Sequence, residues 1–163
     1  MSFLADSYTR QSAQSSSIGT SSTPQFLPFA STGELLISKN KHLITLLNAR
    51  DYNSPFYASC LSPDIHLEQH GVMLKGIDAF INAYRIPAEE SPHEVEVEVK
   101  NSSAIVDEKT GHGTVVLHVT ATGQKDDMKR AATVLSCWRR MDAEGGKWEC
   151  HSYYMFFGVQ EFD

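Results

Sequence analysis

The chain has 163 residues, 41% of them hydrophobic, and a formal charge of −6. That suits one domain with an ordinary core. The acidic balance, with no basic run longer than Lys129-Arg130 or Arg139-Arg140, excludes a nucleic-acid surface. No apolar run approaches the roughly 20 residues of a membrane span, and the start MSFLADSYTRQ lacks the pattern of a secretory signal. These features predict a soluble, cytoplasmic protein with neither a nucleic-acid nor a membrane partner.

In chain order, residues 1–31 are rich in Ser, Thr and Gln and have little to bury, so a disordered tail is expected before a domain over 32–163. Ser31 and Glu34 form a capping-box pattern. The stretch after them carries Leu36, Leu43 and Leu47 on one stripe, an amphipathic helix running to about Arg50. Asn-Ser-Pro and Ser-Pro signals then bracket a short helical piece, and DIHLEQH reads as a short strand. Ile77, Phe80, Ile81 and Tyr84 define a second helix, which Pro87 is expected to close. Beyond it the pattern turns to β. HEVEVEVK alternates Val95, Val97 and Val99 against Glu94, Glu96 and Glu98, so its glutamates form a solvated face. NSSAIVDE, GTVVLHVTATG, KRAATVLSCWRRM and KWECHSYYMFFG follow as strands, the last two joined through DAEGG. The predicted class is α+β: helices on one side of a curved antiparallel sheet, a cone that encloses a pocket.

HLEQH places His66, Glu68 and His70 on one strand face, opposite Ile65, Leu67 and Gln69. The apolar face turns inward, so the His/Glu/His row looks outward, to solvent or to a partner subunit. Two strand histidines and a carboxylate can hold zinc. A row along one strand spreads over about 13 Å, however, so no metal is expected there. The cysteines, Cys60, Cys137 and Cys150, form no Cys-x-x-Cys pair and fit a reducing compartment.

The unit LSPDIHLEQHGVMLKGIDAFINAY, with Asp64, Gly76 and the helix from Ile77, and the closing hairpin CWRRMDAEGGKWECHSYYM resemble the nuclear transport factor 2-like superfamily and its SnoaL-like members. The resemblance covers roughly residues 34–158. It implies a cone-shaped domain that forms a homodimer through the sheet back, where SYYMFFG offers an apolar patch. LLNARDYNSPFYASCLSPDI is also similar to the corresponding part of the scytalone dehydratases. Leu47-Asn48 stand where those enzymes place a catalytic Tyr-Asp pair, and the strand with Val115, Leu117, Val119 and Ala121 inward lacks their histidines.

Candidate site residues follow. Gln69 is the polar member of an inward set and needs a partner, from the protein or from a ligand. Asn48 is a pocket group by the resemblance, or a helix C-cap by its position. Tyr57 and Tyr84 are core aromatics or pocket phenols. The resemblance turns Thr133, Leu135 and Cys137 inward, leaving His118 on the sheet back. On the last strand, one parity gives His151 and Tyr153 to the pocket as proton-handling groups. The other gives Trp148, Cys150, Ser152 and Tyr154, and a bulge near DAEGG would decide between them. Two functions stay open: a cofactor-free cyclase, isomerase or dehydratase acting by general acid/base catalysis on a bulky apolar substrate, or a non-catalytic ligand-binding or dimerising module.

Overall fold

A computed structural model describes residues 31–69, 71–90, 95–122, 129–142 and 146–158. The expected tail (Ser31 apart), His70 and Glu94 lie outside the described residues. Helix α1 spans Thr32–Asn48, and the Ser31 hydroxyl caps it by accepting from the Glu34 amide. The short helix α2 spans Phe56–Cys60 and α3 spans Ile77–Glu90. Pro87 does not close α3, which continues one turn beyond it. Its ring fits a helical φ, and its missing N–H forfeits one bond in the last turn.

The strands are β1 (Leu61–Gln69), β2 (Val72–Lys75), β3 (Glu96–Asp107), β4 (His112–Thr122), β5 (Arg130–Arg140) and β6 (Trp148–Phe157). They form one unclosed six-stranded sheet in the order β2-β1-β6-β5-β4-β3. Pairing is antiparallel throughout except that β1 runs parallel to β6. Three features depart from expectation. β2 is an additional strand, paired to β1 through a hairpin that turns at Gly71, whose φ is +75°. Residues 96–100 of HEVEVEVK and 101–107 of NSSAIVDE form one strand, because a bulge at Lys100 lets β3 continue. β1 starts at Leu61, its register shifting before His66; Pro63, which lacks a ladder donor, falls in that irregular stretch.

The concave face carries Val115, Leu117, Val119 and Ala121 of β4, all buried as expected, and Ala132, Val134, Ser136 and Trp138 of β5. Leu36, Leu43 and Ile44 of α1 pack into it. The helix sits so close that a Cβ on Gly113 would lie 2.6 Å from Leu36 Cδ1. Phe80 is the one fully buried residue of α3. Gly76 starts that helix, its amide donating to the Ile65 carbonyl at 2.8 Å. Its φ of +95° excludes most other residues.

Candidate functional site

Three phenols from three elements meet in the interior: Tyr57 of α2, Tyr84 of α3 and Tyr153 of β6. Each rides on an apolar position that its element must bury, which carries the polar tip inside with it. The Phe80 ring joins two of them, 5.3 Å from Tyr84 and 5.2 Å, edge to face, from Tyr153. The hydroxyls of Tyr57 and Tyr84 are buried and have no hydrogen-bond partner. The Tyr153 phenol interacts with that of Tyr84, yet outside hydrogen-bond geometry. Burial raises the pKa of all three phenols, that of Tyr57 to about 12 with Asp51 adding to the effect, and those of Tyr84 and Tyr153 well above the ordinary tyrosine value. The nearby thiols behave alike: burial pushes Cys60 up to about 12 and Cys150 well above its ordinary value. The interior therefore offers neutral hydrogen-bond donors and no group among these that exchanges a proton near neutral pH.

A second polar cluster is closed. Asn40, fully buried on α1, donates to the Leu36 carbonyl at 2.9 Å and accepts from Ser136 Oγ at 2.9 Å. Ser136 accepts in turn from Trp138 Nε1 at 2.9 Å. Sequence reasoning missed Asn40, although it interrupts the Leu36–Leu43–Leu47 stripe at the i+4 position, the one signal available.

The remaining predicted residues do not join the phenols. Asn48 is neither pocket group nor cap: its amide donates to the Val97 carbonyl and accepts from the Val97 N–H, both at 2.9 Å, tying α1 to edge strand β3. Gln69 does lie on the inner face with Ile65 and Leu67, half-buried at the end of β1. Thr133 and Cys137 lie on the outer face, since Ala132, Val134, Ser136 and Trp138 occupy the inner one. The Thr133 hydroxyl meets His118 Nδ1 there at 3.3 Å.

The bulge that decides β6 is at His151 itself. Trp138 pairs with Cys150 but Cys137 pairs with Ser152, which leaves His151 as the extra residue. Below it Trp148 and Cys150 face inward; above it Tyr153 does. Each expected parity therefore holds on one side of the bulge. His151 and Tyr153 do not act together, because His151 belongs to the outer side, its Nδ1 3.0 Å from Ser152 Oγ. Partial burial, then the charges of Arg139, His112 and His66, lower its pKa.

A cavity of about 270 Å³ lies at the end of β1 and β6, lined by Glu68, Gly71, Met155, Phe156 and Phe157. It is smaller than most ligand pockets and none of the phenols lines it. Among the described residues no group of three His, Cys, Asp or Glu is arranged to hold a metal ion. His66 and Glu68 are on the outer side of β1, as its parity implies. Among the described residues no helix is long and apolar enough to cross a membrane.

No family model and no curated protein matches the chain. Solved structures do match in shape. The CaMKII hub of S. rosetta superimposes with a TM-score of 0.65 at 14% identity, over 81% of this chain and 100% of the hub. An NTF2-like protein of unknown function from Pseudomonas putida KT2440 gives 0.60 at 12% identity, over 75% and 83% of the two chains. A candidate ketosteroid isomerase from Shewanella frigidimarina gives 0.57 at 9% identity, over 72% and 91%. At these identities the likeness shows the fold alone, which is the NTF2-like, cystatin-like one the sequence resembles.

Proposed function

We propose that this NTF2-like domain is a non-catalytic binding module. Its interior takes a small, largely apolar molecule that presents an acceptor oxygen to the hydroxyls of Tyr57 and Tyr84. The carrying observation is that both hydroxyls are buried without a partner. Leaving such a group unsatisfied costs about 1–3 kcal/mol, and a carbonyl or ether oxygen between them removes that cost. Their raised pKa values keep both phenols protonated and so available as donors. General acid/base catalysis has weaker support, because the titrating His151 and the interior Tyr153 lie on opposite sides of the sheet.

A native mass spectrum of the full chain tests this reading. We expect an organic mass increment on the wild type that is lost in the Tyr57→Phe/Tyr84→Phe double variant. The same increment on both proteins would overturn the role of the hydroxyls.

One further observation supports a homodimer through the outer sheet face. Ile105 is 79% exposed and Phe156 54% exposed on that face. The Tyr154 and Phe156 rings stack there, with centroids 6.3 Å apart. Leu135 and Val116 continue the apolar row across β5 and β4.

A further inference from the structure

The cavity at the end of β1 and β6 has a chemistry that the phenols do not use. Glu68 and Phe156 reach it from the outer side of the sheet, Met155 and Phe157 from the inner side, and Gly71 from the β1–β2 turn. It therefore sits where the two faces meet. Its volume of about 270 Å³ falls short of the roughly 300–1,000 Å³ of a drug-sized pocket and suits one small head group. At the turn, a Cβ on Gly71 would meet no atom within 4 Å, so no side chain crowds that wall. Glu68 pairs with Tyr154, which puts Phe156 one diagonal step away on the same face. At that spacing long side chains on neighbouring strands still meet. Glu68 is half-buried, and among the described residues no hydrogen bond or ion pair engages its carboxylate. Lys75, diagonal to it on β2, acts on Asp64 instead. The cavity thus combines one unpaired carboxylate with an aromatic ring and a thioether. Phe156 is the one wall it shares with the dimer patch.

We propose that this cavity binds a small organic ammonium ion, alkylated at nitrogen, with Glu68 as its counter-charge and Phe156 and Met155 as its apolar walls. Such an ion carries its charge on an apolar surface, and the cavity is its complement. The carboxylate attracts the charge, the face of a phenyl ring adds a cation–π contribution, and the polarisable sulfur packs against the alkyl groups. The other ligand classes fit less well. An anion is repelled by Glu68. A hard metal ion needs about six oxygen ligands, and the cavity offers one carboxylate. A neutral apolar molecule would cover Glu68 without pairing it, which is costly for a charged group. The acidic balance of the whole chain favours the approach of a cation.

Choline is the probe, and its uncharged isostere, with a tert-butyl group in place of the trimethylammonium, is the control. Methionine-methyl proton–carbon correlation spectra of the full chain would be recorded with each, and with sodium chloride at matched ionic strength. The expected result is a saturable shift of the Met155 methyl with choline alone, while Met141, exposed at the end of β5 and outside the cavity, stays unmoved. Glu68→Gln should weaken choline binding about fivefold, the worth of a partly screened ion pair. If that variant fails to fold, Phe156→Leu, which replaces a ring that is 54% exposed, should weaken it as well. No shift at Met155, an equal shift with the uncharged isostere, or an undiminished choline response in the folded variant tested would overturn the site.

Discussion

His151 shows how one residue can decide a face. As the extra residue of a bulge it stands outside the ladder, and its lowered pKa comes first from burial and then from three neighbouring cationic or ionisable groups. The folded state therefore holds its proton less tightly than the unfolded chain, so the stability this neutral imidazole provides is present above the ordinary histidine value of about 6.5 and is lost as pH falls through it. Urea midpoints should drop between pH 7.5 and pH 5, and His151→Gln should flatten that slope; an unchanged slope would assign the loss to other groups. Asn48 makes a second residue-scale case. Asn48→Ala would strip partners from both backbone groups of Val97. On half-buried groups that costs about 1–3 kcal/mol, measurable by chemical denaturation, whereas a helix cap lost to solvent would cost nearer the low end.

At the scale of elements, the contact of α1 with β4 depends on a missing side chain. Gly113→Ala would force Leu36 or the helix to move, destabilising by about 1–3 kcal/mol, which a lowered denaturation midpoint would report. Much at this scale was legible beforehand. Ser31 and Glu34 mark the start of α1, the Leu36–Leu43–Leu47 stripe marks its buried face, and strict alternation marks β3 and β4. What was not legible has a common cause. Alternation predicts a face only while the register is unbroken, and β1, β3 and β6 each contain a shift. Val97 and Val99 face the core before Lys100, Ala104 and Val106 after it. Nothing in ECHSYY announces a bulge, so extrapolation along β6 paired His151 with Tyr153 although the backbone separates them. Thr133 and Cys137 face outward, against the parity the resemblance implies, because the large Trp138 ring takes the inner side of β5. Tyr57 and Tyr84 were within reach as candidates, since an aromatic on an apolar stripe carries its hydroxyl inward. That the hydroxyls lack partners is a tertiary fact.

For the whole molecule, the two sides of one sheet divide the chemistry. The concave side is apolar with neutral donors; the convex side has exposed apolar residues beside paired charges such as Arg139 and Asp64. A second copy of the chain covering Ile105, Tyr154 and Phe156 would bury those apolar residues. Phe156→Asp should therefore shift sedimentation from dimer to monomer while leaving the far-UV spectrum intact, and a wild type that sediments as a monomer at high concentration would remove the dimer. The interior claim is the more fundamental, and it turns on the sign of one free energy. Unfolding of ligand-stripped Tyr57→Phe/Tyr84→Phe should be compared with that of equally stripped wild type. If the hydroxyls await a ligand, removing them relieves buried unpaired groups and the variant is more stable, by about 1 kcal/mol or more. A variant less stable than wild type would mean that the protein itself already satisfies both hydroxyls, and the binding module would lose its basis.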